Sequence, residues 1–189
     1  QKFWTPQYAS PEQIQGDNTT ILMDIYALGV LLYKLLTGFF PLDLSGKKLL
    51  EIEKIILEQT PEFPSTAVIN HSANSNSMVF DGLSAPDLSK VLRGDLDAVI
   101  LKALRKDTSE RYQSVEQLST DLNRYLEGFP VNARPETITY RAKKFIRRNK
   151  LLVSATVLLF LVVTVAAIVS TKFALEARSA QAIAQHEAE

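Results

Sequence analysis

A run of residues without a single charge, 151–170 (LLVSATVLLFLVVTVAAIVS), constrains this 189-residue chain more than any other feature. At about 1.5 Å rise per residue, the run reaches across the ~30 Å hydrocarbon core of a bilayer. A helix is the one-segment structure that satisfies every backbone N–H and C=O there. Leu, Val, Ile and Phe each add roughly −0.3 to −0.6 kcal/mol to insertion near the helix centre. Ser154, Thr156 and Thr164 can return their hydroxyls to the helix backbone. A buried core helix is the alternative, but such helices seldom run this long without a polar face. The expectation is a transmembrane helix over 151–170.

The flanks set an orientation. Arg141, Lys143, Lys144, Arg147, Arg148 and Lys150 precede the run, with no acidic residue from 141 to 150. A mixed set follows it, including Lys172, Glu176 and Arg178. The positive-inside rule then expects residues 1–150 in the cytoplasm and the C-terminus outside. A basic stretch next to a membrane suits anionic lipid headgroups better than nucleic acid. Net formal charge is zero over the whole chain, so the overall balance points to no polyanionic partner. There is no cysteine, which excludes disulfides, zinc thiolate sites and thiol nucleophiles. His71 and His186 have no metal-ligand pattern around them, so no metal site is expected.

Before the run, helical periodicity dominates and no strand pattern stands out. Residues 24–37 (DIYALGVLLYKLLT) are apolar on nearly all faces and end at Gly38, as a helix buried all round would. Residues 47–59 place Leu49, Ile52 and Ile56 on one face, with Leu50 and Ile55 less central. Residues 61–90 show no clear period and read as a long surface loop. Asp95 is a candidate N-cap for a helix over 96–106, with Leu96, Val99, Ile100, Ala103 and Leu104 on one stripe. Ser114 and Gln117 match a capping box. Val115, Leu118, Leu122, Tyr125 and Leu126 form the next stripe, ending at Gly128. Residues 129–140, with Pro130 and Pro135, read as an extended linker. Residues 140–150 are a basic amphipathic stretch, and 173–189 is a good helix former that could begin a coiled coil.

Three short motifs carry a resemblance. Thr5-Pro6-Gln7-Tyr8-Ala9-Ser10-Pro11-Glu12 is similar to the end of a protein-kinase activation segment, a variant of its A-P-E signature. Asp24-Ile25-Tyr26-Ala27-Leu28-Gly29 is similar to the D-x-[WY]-x-x-G pattern. Lys106-Asp107-Thr108-Ser109-Glu110-Arg111-Tyr112 is similar to K-D-P-x-x-R-Y. Their order and spacing agree, so about residues 4–128 resemble bacterial membrane-anchored serine/threonine protein kinases. The fold implied is mainly α: an incomplete, helical C-lobe over 1–128, a basic juxtamembrane linker over 129–150, the transmembrane helix, and the start of an extracytoplasmic helical region from 171 to 189.

That resemblance implies roles. Glu12 and Arg111 would form a buried ion pair, Pro11 and Gly29 would be structural, and Asp24 would accept N–H groups of the catalytic loop. Thr5, Pro6 and Tyr8 would lie in the substrate-facing loop, although simple core filling explains Tyr8 equally well. Trp4 stands where such kinases usually carry Gly; either the loop differs or 1–4 are not the native upstream residues.

Phosphoryl transfer needs a Gly-rich loop, a V-A-I-K lysine, an H-R-D-x-x-x-x-N loop and a D-F-G aspartate, and none occurs in these 189 residues. In the family these parts precede the end of the activation segment, so the resemblance implies that they would lie upstream of residue 1. The parent would use ATP and Mg to phosphorylate Ser or Thr of cytoplasmic proteins at a bacterial inner membrane, while this piece alone would bind neither productively. Two alternatives stay open: a non-catalytic membrane-tethered interaction module, and a degraded kinase remnant.

Overall fold

The computed structural model describes residues 5–18, 20–72 and 82–187, with side chains described through residue 172. Trp4 therefore lies outside the described residues, as do part of the 61–90 stretch and the side chain of His186. The described residues are helical with no extended strand. They divide into two compact units, Gln1–Arg141 and Ala142–Glu189.

A 3-10 turn, Pro6–Tyr8, leads into the short helix α1, Pro11–Gln15. Helix α2, Ile21–Thr37, is the axis of the first unit. One side of it, with Ile25, packs on Val99, Ala103, Tyr112 and Leu118. Another side, with Tyr26, Val30 and Tyr33, packs on Ala67, Ile100 and Leu104. The expectation of all-round burial holds for these faces only. Ile21, Leu31 and Leu35 are exposed, because no described element covers that side. The helix stops at Gly38 (φ 83°), whose N–H donates to the Lys34 carbonyl. The Thr37 hydroxyl donates to the Tyr33 carbonyl at 2.8 Å.

Helix α3, Leu49–Glu58, buries Ile56 with Ile52 and Ile55 beside it, against Ala9, Leu42 and Leu44. Leu49, expected at the centre of the apolar face, is instead 60% exposed. It is the first residue of the helix and sits beyond the reach of that cluster.

Residues 61–90 are not one long loop. They contain α4, Pro64–Ser72, and the start of α5, Ala85–Leu92. Helix α4 buries Ala67 and Val68. Helix α5 is capped by Ser84, whose hydroxyl accepts from the Asp87 N–H. Leu88 and Leu92 then join Val68 and Leu96 in one cluster.

Helix α6, Asp95–Ala103, starts one residue earlier than expected. Its N-cap is Gly94 (φ 100°), not Asp95. A side chain at 94 would be strained by that φ and would also meet Arg134 Nη1 at 3.0 Å. Helix α7, Val115–Leu126, is capped by Ser114, which accepts from the Gln117 N–H at 3.2 Å. The Gln117 side chain reaches the Gln113 N–H rather than that of Ser114, so the reciprocal half of the expected box is displaced by one residue. The complete box lies elsewhere: Ser10 N–H donates to Gln13 Oε1 and Gln13 N–H to Ser10 Oγ, opening α1.

Residues 129–134 are stitched to the lobe instead of running free. Val131 is buried with Ile25 and Tyr112. The N–H groups of Asn132 and Ala133 donate to the Asp121 carboxylate at 2.7 and 2.8 Å. Helix α8, Ile138–Arg148, and helix α9, Lys150–Glu187, follow, with a break at Asn149. Within α9, 150–172 is long and apolar enough to cross a membrane, with mean hydropathy 2.8 and none of it covered by protein. Ser154, Thr156 and Thr164 donate their hydroxyls to the carbonyls of Leu151, Leu152 and Phe160, as the sequence led one to expect.

Candidate functional site

The three motifs meet around Arg111. The first supplies Glu12, in the opening turn of α1, where the Ser10–Gln13 box fixes the helix start and the dipole favours an acid. The third supplies Arg111 through a 3-10 turn, Thr108–Glu110. Asp107 caps that turn, accepting from the Ser109 N–H at 2.8 Å and its hydroxyl at 2.7 Å. These bonds hold the Asp107 carboxyl below its ordinary pKa.

Arg111 and Glu12 face each other fork to fork. Nη1 donates to Oε1 at 2.6 Å and Nη2 to Oε2 at 3.0 Å. The remaining donors take backbone carbonyls: Nη1 that of Leu22 (2.6 Å), Nε that of Arg105 (3.1 Å) and Nη2 that of Lys106 (3.5 Å). All five guanidinium N–H groups are thus used. The Arg111 side chain is 0% exposed and that of Glu12 is 8% exposed. Burial alone pushes the Glu12 carboxyl up, but the Arg111 hydrogen bonds and charge outweigh it and leave the pKa below the ordinary 4.5. With its guanidinium donors all used and its carboxylate held ionised, the pair is a structural tie rather than an acid or base. Its chemistry is to fix the opening turn of α1 against α2 and the loop after α6.

Two neighbours share this environment. The Arg111 guanidinium lies 5.2 Å from the Tyr26 ring centroid. Burial raises the Tyr26 hydroxyl to about 12, against the opposing pull of Arg111. Lys106 Nζ donates to the Ile56 carbonyl at 2.6 Å, tying α3 to the same loop. Burial, and then the Arg111 charge, lower its pKa to about 8.

Of the other residues singled out from the sequence, Pro11 is buried at the head of α1. Gly29 lies where α2 crosses α6; a Cβ there would stand 2.9 Å from Ala103 Cβ and 3.1 Å from Leu104 Cδ2. Tyr8 packs edge-on to Phe40, with ring centroids 5.6 Å apart. Thr5 is exposed, half-buried Pro6 opens the 3-10 turn, and the Thr5 carbonyl accepts from the Tyr8 N–H. Asp24 is exposed on the first turn of α2 and is not drawn into the Glu12–Arg111 cluster. Arg141, Lys143, Lys144, Arg147 and Arg148 all fall on α8, and Lys150 opens α9.

Sequence reasoning missed two acids that lock the lobe, Asp97 and Asp121, and gave a third, Asp95, a capping role in place of its real one. Asp97 accepts from the Ser65 N–H (2.9 Å) and hydroxyl (2.7 Å) and fastens the start of α4. Asp121, 0% exposed, accepts from the Tyr112 hydroxyl at 2.8 Å as well as from Asn132 and Ala133. Asp95 accepts from Arg134 Nη1 and from the Tyr140 hydroxyl, each at 2.9 Å. Asp121 had a legible signal: an acid lying between Leu118, Leu122 and Tyr125 on the apolar stripe of its helix.

A helical lobe whose central helix is clamped to a preceding P-E turn by a buried arginine is the architecture of a protein-kinase C-lobe. The family model for the protein kinase domain matches residues 1–122. The chain belongs to the protein kinase domain family. It is 36% identical over 135 residues to serine/threonine-protein kinase PknB of Mycobacterium tuberculosis, covering 71% of this chain and 18% of that protein. It is 33% identical over 127 residues to serine/threonine-protein kinase PknD of Chlamydia abortus, covering 67% of this chain and 11% of that protein. The chain thus spans less than a fifth of the length of these relatives.

Proposed function

We propose that this chain is the C-terminal part of the catalytic domain of a transmembrane serine/threonine kinase, together with its membrane anchor. The parent transfers the γ-phosphate of ATP to Ser or Thr hydroxyls of cytoplasmic proteins. The observation that carries this reading is the buried Glu12–Arg111 fork, formed inside the region that matches the kinase family. In that parent, Thr5, Pro6 and Tyr8 border the substrate residue, and Asp24, exposed on α2, is free to brace a catalytic loop. The span over 151–170 anchors the protein, and the six basic residues before it contact anionic headgroups on the cytoplasmic side.

ATP and Mg supply the phosphoryl group and its charge neutralisation in such an enzyme. The residues present do not fit either: none of the phosphate-loop, lysine, catalytic-loop or D-F-G positions occurs in this sequence. This chain therefore contributes shape and anchoring rather than a phosphoryl-transfer step.

The test compares this chain with a longer protein that includes the sequence encoded upstream. With γ-labelled ATP and Mg, the longer protein should label Ser or Thr on itself or on a generic acceptor, and this chain should label nothing. An upstream sequence without kinase motifs, or a longer protein that binds ATP yet labels no Ser or Thr, would overturn the reading.

A further inference from the structure

Helix α8 carries an apolar face that nothing in the kinase reading uses. With 3.6 residues per turn, Ile138, Ala142, Phe145 and Ile146 fall within a stripe about 100° wide. Ile138 is 87% exposed, Phe145 49% and Ile146 50%. Arg141 and Lys143 flank the stripe, and Lys144, Arg147 and Arg148 occupy the other side of the helix. No acid occurs from 141 to 150.

Tyr140 projects about 160° around from Ile138. Tyr140 itself is tied into the first unit: its hydroxyl donates to Asp95 and accepts from the Val131 N–H at 3.0 Å. The Arg134 guanidinium stacks over the Tyr140 ring at 4.5 Å and also donates to Asp95. At the other end, α8 breaks at Asn149, whose side-chain amide donates to the Phe145 carbonyl. The uncharged run begins two residues later, at Leu151. At about 1.5 Å per residue, an eleven-residue helix so tethered cannot leave the first ~20 Å beside the hydrocarbon.

We propose that α8 lies in the headgroup plane of the anionic leaflet, with Ile138, Ala142, Phe145 and Ile146 seated among the acyl-chain ends and the basic side chains on lipid phosphates. An amphipathic helix with Lys and Arg on one face and Phe and Ile on the other is suited to that position. Each cation near an anionic surface raises its local occupancy about fivefold, so the set acts together. The inference depends on the reading of 151–170 as a membrane span.

Because the chain has no cysteine, single-cysteine variants carry one spin label each. Ala142→Cys probes the apolar face, Arg147→Cys the basic face and Val162→Cys the span, in the full chain in single-chain nanodiscs. In discs of phosphatidylcholine and phosphatidylglycerol, the label at 142 should meet dissolved oxygen several-fold more, relative to a water-soluble nickel chelate, than the label at 147. Discs of phosphatidylcholine alone, or the added pair Arg147→Glu and Arg148→Glu, should return position 142 toward water. An aqueous reading at 142 with a hydrocarbon reading at 162 overturns the proposal and leaves the span standing; aqueous readings at both overturn the span as well. Protection of 142 that requires two chains per disc, or duplex nucleic acid in place of phosphatidylglycerol, also overturns it.

Discussion

Arg111 grips Glu12, 99 positions earlier in the chain, through two parallel hydrogen bonds of 2.6 and 3.0 Å. Removing either partner strands a charge that water cannot reach. Arg111→Met or Glu12→Gln should therefore cost about 3–5 kcal/mol of unfolding free energy. Arg111→Lys should recover little, because an ammonium has three donors against the five used here and cannot form the fork. Urea unfolding of the full chain in detergent, followed by circular dichroism at 222 nm on the helical signal, measures all three. A loss below about 1 kcal/mol for Glu12→Gln would place the pair among exposed bridges.

Gly29 tests the α2–α6 crossing. In an open helix, Gly→Ala gains about 1 kcal/mol. Here the new methyl would meet the Cβ of Ala103 at 2.9 Å, a fixed atom that cannot swing away. Overpacking of this kind costs typically about 1–3 kcal/mol. Gly29→Ala should be net destabilising, and Gly29→Ala with Ala103→Gly should recover part of the loss in the same unfolding measurement.

Asp121 holds three donors with one carboxylate. Asp121→Asn keeps the shape but turns an amide N–H₂ toward groups that themselves donate. The expected loss is about 1–3 kcal/mol, and it should be local first. Amide hydrogen exchange should accelerate at residues 131–134 before it does so in α2. Uniform acceleration across the lobe would argue against this acid as the fastener of that segment.

The pH dependence has two limbs. The folded pKa of Glu12 lies below 4.5, so its contribution is complete above that value and disappears as pH falls through the folded pKa. Lys106 acts in the opposite range. Its folded pKa of about 8 lies below the ordinary 10.5, so the unfolded chain binds more protons between them and stability rises with pH there. The rise is at most about 3 kcal/mol. Above the ordinary 10.0, Tyr26, held at about 12 in the fold, reverses the slope, because the unfolded tyrosine ionises first. Urea midpoints should therefore climb from pH 8 and fall again beyond pH 10. Lys106→Met should flatten the climb.

The apolar run makes a separate prediction. An arginine at position 162, in the middle of it, should cost about 2.5–3.5 kcal/mol of insertion. Val162→Arg should move the chain from the alkali-resistant membrane fraction toward the soluble or aggregated one, while Val162→Leu should not.

The second half of 61–90 shows how far local pattern reaches. Ser84, with Pro86 and Asp87 behind it, is a legible helix start. Its neighbour α4 is not: Pro64–Ser72 is rich in Ser, Thr and Asn, weak helix formers, and no strong apolar stripe marks it. It is held by contacts with distant residues, namely Ser65 on Asp97 and Ala67 beside Tyr33.

The sequence by itself determined what repeats within a helical turn or needs no partner: the uncharged run, the helix over 24–37 and the order of the three motifs. Beyond the Glu12–Arg111 pair, which the family resemblance implied, only the tertiary structure decided which carboxylates would be buried and what would satisfy them. Asp24 stayed at the surface, while Asp95, Asp97 and Asp121 became fasteners. The reason is physical: periodicity is set by neighbours three or four residues away, whereas satisfying a buried charge depends on donors that the chain brings back from far along its length.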